Sequence, residues 1–218
     1  MDKLFNYLIS PEISKLREFS PKLKIAILAS GEGSNFQELI DLSKSNKFDI
    51  DIRILITDNS DAGCILRAKK SNISYKIIKK SDYEKKEFFE NEIINSIKKY
   101  NIELVVMAGW MKVMSSKFVN EFKNKIINIH PSLLPSFKGK NAINDAMANG
   151  TKITGCSVHF VVPEVDSGSL IMQAALSISN DDNIETITKK IHFLEHKILP
   201  LSISQAGHIL RNNSKGND

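Results

Sequence analysis

The chain has 218 residues, of which 42% are hydrophobic and 25% are charged. These are ordinary values for a globular protein, and the length suits one sizeable domain. The formal charge is +5, but the basic residues are mostly lysines scattered among acids. A nucleic-acid-binding protein would concentrate arginine, lysine and aromatic residues on one element, so we expect no nucleic-acid partner.

The hydrophobic residues also argue against a membrane protein. No apolar stretch approaches the ~20 residues that cross a bilayer, and the first residues lack the long apolar region of a signal peptide. We therefore expect no membrane association and a cytoplasmic location. The two cysteines, Cys64 and Cys156, sit in apolar patterns without metal-ligand spacing. We interpret them as buried free thiols in a reducing compartment.

Residues 1–23 form an N-terminal extension that Ser20-Pro21 separates from the domain at 24–210. Apolar spacing in this extension predicts one or two helical turns, with a second helix start at Ser10-Pro11-Glu12. The apolar residues concerned are Leu4, Tyr7, Leu8 and Ile9. We expect this segment to pack on the domain surface or to be partly mobile.

Residues 24–130 alternate between strand and helix patterns. Apolar runs predict strands at 24–29, 51–57, 75–78, 104–107 and 126–130. Helical patterns lie between them at 36–42, 65–70, from a cap at Ser81-Asp82 to about Tyr100, and at 115–122. This alternation predicts an α/β fold with a doubly wound, mostly parallel sheet.

The pattern changes after residue 130. A short helix is predicted at 141–149, and strand-like runs at 152–162 and 169–178 are joined by a connection short enough to require an antiparallel pair. A last helix covers about 183–209, with a kink or break expected near Leu199 because Pro200 follows. Residues 211–218 are a polar tail.

The loop Ser30-Gly-Glu-Gly-Ser-Asn35 lies between the first domain strand and its helix. Glycine lets the backbone approach a ligand closely, and the helix start offers unpaired N–H groups that suit a phosphate. The loop lacks the third glycine of a dinucleotide fingerprint and the Gly-Lys-Ser/Thr of a P-loop. It favours a monophosphate, although a simple tight turn with a helix cap accounts for it equally well.

Asn128 and His130 project from the end of a buried strand, which Pro131 terminates. In open α/β sheets ligands bind at this end of the strands. An amide can donate to a developing oxyanion, and an imidazole can transfer a proton. Asp166, in the loop between the last two strands, is a candidate to orient that imidazole. Taken singly, each of the three is more often an ordinary turn, core or loop residue.

His159 alternates with apolar neighbours on its strand, so it either points into the same cleft or is only packed. His192 and Glu195 share a face of the last helix, which composition alone would assign to solvent. No His-Glu-x-x-His or paired-cysteine spacing occurs, so we expect no metal.

Six stretches, taken together and in this order, resemble the phosphoribosylglycinamide formyltransferase family. The resemblance runs from about residue 24 to 205, and its Asn-x-His-Pro-Ser-Leu-Leu-Pro stretch marks the wider formyltransferase group. The stretches are Ser30–Asn35, Met107-Ala-Gly-Trp-Met-Lys112, Asn128-Ile-His-Pro-Ser-Leu-Leu-Pro135, Ser157-Val-His-Phe160, Val165-Asp-Ser-Gly168 and Glu195-His-Lys-Ile-Leu-Pro200.

The resemblance implies a Rossmann-like formyltransferase fold. It also implies transfer of a formyl group from 10-formyltetrahydrofolate to glycinamide ribonucleotide in purine synthesis. Both are small molecules, and we expect a monomer or a homodimer. The implied catalytic residues are Asn128, His130 and Asp166. The implied ribonucleotide-binding residues are Gly33, Ser34, Asn35, His192 and Glu195. The implied folate-binding residues are Lys86, Met111, Lys112, Val113, Met114, Val162, Pro163, Glu164 and Val165.

Lys86 and Lys112 stand where family members often carry arginine, which predicts looser contacts to the folate carboxylates. Residues 136–145 are a candidate lid. A formyltetrahydrofolate hydrolase and a non-catalytic nucleotide- or folate-binding protein remain alternatives. A hydrolase usually has an N-terminal regulatory domain, for which 23 residues are too few, and retention of the three candidate catalytic residues argues against a sensor.

Overall fold

The fold is built on one mixed sheet, seen in a computed structural model that describes residues 5–13 and 15–215. Within these residues eight strands lie in the order β1-β8-β7-β6-β5-β2-β3-β4. The five strands from β6 to β4 are parallel, and β7, β8 and β1 add antiparallel pairs at the other edge. The strands are Tyr7–Ser10 (β1), Leu23–Leu28 (β2), Ile50–Thr57 (β3), Tyr75–Ile77 (β4), Leu104–Met107 (β5), Ile126–His130 (β6), Ile153–Phe160 (β7) and Leu170–Ser177 (β8).

Helices cover both faces of the sheet, as a doubly wound fold requires. One core contains α1, α2, α5 and α6 on one face, and a second core contains α3 and α4 on the other. The predicted fold class is therefore confirmed. The helices are Ser34–Lys44 (α1), Gly63–Lys70 (α2), Lys86–Lys99 (α3), Ser116–Glu121 (α4), Ala142–Ala148 (α5) and Ile184–Lys215 (α6), with a 3-10 turn at Lys80–Asp82.

The helical prediction for the N-terminal extension is wrong. Tyr7–Ser10 form an edge strand that pairs antiparallel with β8, Tyr7 lying opposite Leu176. A short apolar run fits a strand or a helix equally well, and here the hydrogen-bonding edge of β8 decides. The segment also packs on α6, where the rings of Phe5 and Phe193 meet edge to face at 5.6 Å. Leu4, part of the same pattern, lies outside the described residues.

The start predicted for α3 is also wrong. The helix begins at Lys86 rather than after Ser81-Asp82, which lie in the 3-10 turn. Tyr83 and Phe89 pack edge to face at 6.2 Å. Residues six apart in an α-helix are on different faces, so this contact does not fit a helix that already includes Tyr83.

Helix α6 continues without a break through Pro200 to Lys215. Its inner face, including Ile191, Leu194, Ile198 and Ile203, is fully buried, and this packing keeps the helix intact although Pro200 has no N–H. Residues 211–215, predicted to belong to a polar tail, continue the helix because Arg211 binds Glu103 with a 2.9 Å Nε to Oε1 distance. Residues 216–218 lie outside the described part.

The described helices include none that is both long enough and apolar enough to cross a membrane.

Candidate active site

A cleft of about 540 Å³ opens at the carboxyl ends of β2, β5 and β6. β2 and β5 are neighbours in the sheet although other elements separate them in sequence, and chain crossings to opposite faces leave a crevice between their ends. The loop after β2, the loop after β5 and the end of β6 all line this cleft, as do β7, the loop after it and α6.

Asn128, His130 and Asp166 come together in this cleft. His130 Nδ1 lies 3.5 Å from Asp166 Oδ2, and its Nε2 donates to the carbonyl oxygen of Phe137 at 2.8 Å. Because Nε2 carries a hydrogen, Nδ1 can donate to the carboxylate only in the imidazolium form. The ring thus lies between two acceptors, which fix its orientation beside Asp166.

His159 points into the same cluster. Its Nδ1 donates to the carbonyl oxygen of Phe160 at 2.8 Å, which leaves Nε2 of the neutral ring as an acceptor. Asn128 Nδ2 donates to that Nε2 at 3.2 Å, and Asp166 Oδ1 lies 3.6 Å from it. The register of β6 against β7 sets Asn128 directly opposite His159. His159 therefore orients the amide of Asn128, and the alternative that it is merely packed is excluded.

The carboxyl group of Asp166 is held by several donors. Burial by itself would raise its pKa, but the His159 ring, the backbone N–H of Gly139 at 2.9 Å and the charge of His130 together lower it below its ordinary value. The backbone of Asp166 has φ 49, a left-handed conformation that Asp and Asn tolerate better than most residues. Asp166 is thus a carboxylate fixed in position by its surroundings.

The loop after β2 packs closely against α2. Gly33 has φ 72, and a Cβ there would lie 2.6 Å from the Cβ of Cys64, so glycine is required for two reasons. Helix α1 starts at Ser34 directly after it, and Gly33 to Asn35 line the cleft. The unpaired N–H groups at this helix start and its positive dipole end suit an anion.

Asn35 joins this loop to α6. Its Nδ2 donates to Glu195 Oε2 at 2.8 Å, while its own Oδ1 is buried without a partner among the described residues. Burial raises the pKa of Glu195 to about 7, and the hydrogen bond from Asn35 only partly opposes that rise. His192, one turn earlier, lines the cleft, and burial lowers its pKa. Glu195 therefore does not lie on a solvated helix face.

Most of the residues expected to bind folate form the other part of the cleft. Met111, Lys112, Val113 and Met114 line it after β5, and across from them are Val162, Pro163 and Val165. Lys112 Nζ lies 3.0 Å from Asp58 Oδ2.

Two of the expected folate residues are not brought to the cleft lining. Glu164 Oε1 lies 3.7 Å from Lys138 Nζ on the neighbouring loop. Lys86 lines a separate pocket, where its Nζ is 3.5 Å from Glu90 Oε1. Lys86 is the first residue of α3, and only the folded chain shows that this position opens away from the cleft.

Sequence reasoning missed three groups at the site: the carbonyl of Phe137, the backbone N–H of Gly139 and the carboxylate of Asp58. Nearly every residue has the same backbone groups, so the sequence cannot indicate which of them lie at a site. Asp58, however, follows the second parallel strand directly, and its position at a strand's carboxyl end could have marked it. Within residues 5–13 and 15–215, no three His, Cys, Asp or Glu side chains are grouped so that they could hold a metal ion.

Comparisons with known proteins agree with this geometry. A family model for formyl transferases matches residues 23–203. The phosphoribosylglycinamide formyltransferase of Bacillus subtilis (strain 168) is 38% identical over 182 residues, which are 84% of this chain and 93% of that protein. The crystal structure of glycinamide ribonucleotide transformylase 1 from Symbiobacterium toebii covers 89% of this chain and 92% of its own, with a TM-score of 0.84 and 31% identity.

A similar sequence also occurs within longer proteins. The trifunctional purine biosynthetic protein adenosine-3 of Chironomus tentans is 39% identical over 196 residues, yet this chain spans only 14% of its length. The matches to single-function enzymes, in contrast, extend over nearly the whole of both chains. The chain therefore belongs to the formyl transferase family and, within it, to the phosphoribosylglycinamide formyltransferases.

Proposed function

We propose that this protein transfers the formyl group of 10-formyltetrahydrofolate to the primary amine of glycinamide ribonucleotide, as a step of purine synthesis. The observation that carries the proposal is the cluster of Asn128, His130 and Asp166 in one cleft with the loop Gly33–Asn35. An amide, an imidazole and a carboxylate beside an anion-binding helix start match the needs of acyl transfer to a phosphorylated amine.

The reaction proceeds by direct attack. The amine adds to the formyl carbon, and the carbonyl oxygen becomes an oxyanion in a tetrahedral intermediate. A free amine is already a competent nucleophile, so no covalent enzyme intermediate is required. Asn128 has a second amide hydrogen besides the one that it donates to His159, and it offers this hydrogen to the oxyanion. The oxyanion also competes with the Phe137 carbonyl for the Nε2 hydrogen of His130.

Asp166 accepts the proton that the reaction releases. The attacking amine becomes an ammonium and must lose a proton, while the departing folate nitrogen must gain one. A carboxylate with a lowered pKa is ionised at neutral pH and accepts the proton directly or through a water. His130, 3.5 Å away, gives a proton to the leaving nitrogen and is then reprotonated by Asp166.

We assign the two substrates to the two parts of the cleft. Gly33, Ser34 and Asn35 hold the ribonucleotide phosphate, and His192 and Glu195 contact the rest of that substrate. The half-exposed apolar residues after β5 and β7 hold the folate rings, since such surfaces fit flat aromatic groups. These residues are Met111, Val113, Val162, Pro163 and Val165, with Lys112 and the buried Met114 among them. Lys86, outside the lining, is left with at most the outer carboxylates of folate, and Glu164, itself an anion paired with Lys138, is left without a contact to them.

We further propose that the enzyme acts in the cytoplasm as a monomer or homodimer. Both cysteines, Cys64 and Cys156, are free and buried, which suits a reducing compartment.

One assay tests the function. The protein is incubated with 10-formyltetrahydrofolate, with and without glycinamide ribonucleotide, and deformylated folate is followed. Turnover that requires the ribonucleotide supports formyl transfer, whereas equal turnover without it would show a hydrolase. Absence of turnover in both arms, together with retained binding of folate, would show a non-catalytic binding protein.

A further inference from the structure

Lys112 is held by a buried carboxylate. Its Nζ lies 3.0 Å from Asp58 Oδ2, and the Asp58 side chain is only 5% exposed. The other oxygen, Asp58 Oδ1, is buried without a hydrogen-bond partner among the described residues. A carboxylate in this position depends on its cation, because removing one partner of a buried ion pair leaves an uncompensated charge. Lys112 supplies that cation.

The pair joins the ends of strands that are not neighbours. Asp58 follows β3 and Lys112 follows β5, while β2 lies between them in the sheet. Ser30, at the end of β2, adds two hydrogen bonds to the same loop: its Oγ accepts from the N–H of Met111 and its N–H donates to the carbonyl of Gly109, both at 3.0 Å. The loop after β5 is thus tied across two strands.

This loop needs polar tethers because burial does little to hold its tip. The side chains of Met111 and Val113 are 53% and 54% exposed and line the cleft. Apolar side chains left half in water contribute little to fixing the loop, and a displacement of about 1 Å at a binding wall can cost up to ~10² in rate. The residues on either side of this tip are buried and anchor its ends, and the contacts made by Ser30 and Asp58 position the exposed tip between them.

We propose that Lys112 is a positioning residue, which fixes the apolar wall of the folate part of the cleft through Asp58 and does not pair with a carboxylate of the substrate. The inference rests on the proposed function, because it concerns how that same site holds folate. A lysine that already neutralises a buried carboxylate would have to abandon it to bind another. This positioning role also explains why lysine is sufficient at position 112, since a single point charge can pair with the one carboxylate oxygen that Asp58 presents.

Two variants separate the alternatives. Asp58→Asn removes the partner and leaves the lysine free. If Lys112 positions the loop, the KM for 10-formyltetrahydrofolate rises several-fold, with kcat and the KM for glycinamide ribonucleotide nearly unchanged. If Lys112 instead binds a folate carboxylate, the freed lysine leaves that KM unchanged or lowers it, and this outcome would overturn the inference.

Lys112→Met and the double variant complete the cycle. Lys112→Met leaves the buried Asp58 carboxylate without a cation, so we expect the KM for 10-formyltetrahydrofolate to increase on the order of ten-fold. The double variant Asp58→Asn with Lys112→Met removes both charges, and its KM should return to that of Asp58→Asn alone. A double variant as impaired as Lys112→Met contradicts the proposal. Should Lys112→Met fail to fold, Asp58→Asn and the double variant still decide, and Lys112→Arg should restore most of the affinity.

A shortened substrate gives an independent readout. 10-Formyltetrahydropteroate lacks the glutamate carboxylates, so Lys112→Met should raise its KM by the same factor as for the full folate. An increase seen only with the full folate would show a direct carboxylate contact. The exposed pair Lys98–Glu121, outside the cleft, is the matched control, and Lys98→Met should change neither KM. Wild-type protein without formyl transfer would refute the proposed function, whereas active wild type with an unaffected Asp58→Asn refutes only this inference.

Discussion

Two carboxyl groups in the same cleft have pKa values shifted in opposite directions. The side chains of Asp166 and Glu195 are both largely buried, and burial by itself raises the pKa of each. Asp166 has two histidine rings and a backbone N–H around it, and its pKa is lowered. Glu195 has one neutral donor, Asn35, and its pKa is raised to about 7. Glu195 is the more deeply buried of the two and has the fewer donors, and both differences raise its pKa above that of Asp166.

The difference suits two roles. A carboxyl that is ionised at neutral pH can accept the proton that an attacking amine must lose. A carboxyl near its midpoint at pH 7 can donate or accept a hydrogen bond, which suits contact with a substrate that presents hydroxyl or amide groups. The following variants test this contrast, from the largest expected effect to the smallest.

Asp166→Asn removes the ionised carboxylate and keeps a residue that tolerates φ 49. We expect kcat to fall by ~10²–10⁴, since this variant removes a proton acceptor at the reacting amine. Steady-state kinetics with both substrates measure the loss. Glu164→Gln, two residues away in the same loop and outside the cleft lining, is the control and should keep its kcat. A kcat for Asp166→Asn within a few-fold of wild type would remove Asp166 from the mechanism.

Glu195→Gln tests the raised pKa through stability. Between its ordinary pKa of 4.5 and about 7, the folded protein retains a proton that the unfolded chain has released. The stability contributed by this group is therefore fully present below about pH 4.5 and falls as the pH rises to about 7. The wild type should lose roughly 3 kcal/mol more than the variant between pH 4.5 and 8. Urea unfolding at a series of pH values measures the difference, and parallel curves for the two proteins would disprove the raised pKa.

His159→Phe keeps an aromatic ring but removes the acceptor for Asn128 and the imidazole that lies 3.6 Å from Asp166 and lowers its pKa. We expect kcat to fall by ~10–10², because the amide that faces the oxyanion loses its orientation. The pKa of Asp166 should rise towards its ordinary value, so the acidic limb of the pH profile of kcat moves to higher pH. An unchanged limb with a lowered kcat would mean that His159 acts on Asn128 alone.

Asn35→Leu has the smallest expected effect. It removes the one side-chain donor to Glu195 while leaving the backbone N–H groups of the loop in place. The pKa of Glu195 should rise further, by about one pH unit, because a hydrogen bond to the ionised form is lost. Carboxyl NMR titration measures the shift. A pKa that falls instead would show that another group, not Asn35, favours the ionised form.

Much of the fold could be predicted from the chain because local patterns and the fold agreed. The alternation from residue 24 to 130 predicted the parallel strands within one or two residues, and the short connection between the last two strands predicted the antiparallel pair. The failures came where tertiary contacts overrode a local signal. Tyr7–Ser10 form a strand because they pair with the edge of β8. Helix α3 begins later than predicted because Tyr83 packs on Phe89. Helix α6 continues past Pro200 because its inner face is buried.

The candidate site shows the same division. Asn128 and His130 were identifiable because an amide and an imidazole at the end of a buried strand, just before a proline, lie where α/β sheets bind ligands. Glu195 was not, because a carboxyl one turn from a histidine is ordinary on a solvated helix. Its burial against Asn35, 160 residues earlier, exists only in the folded chain.

By itself the sequence determined the order of strands and helices from residue 24 onward, the glycine that lets the loop after β2 turn, and the chemical groups available for formyl transfer. These follow from residue types and spacings, which are local. The tertiary structure decided which groups meet: Asp166 with two histidines, Glu195 with one amide, and Lys112 with Asp58. Protonation and orientation depend on burial and on partners distant in sequence, and neither is defined until the sheet order brings β3, β5, β6 and β7 to one cleft.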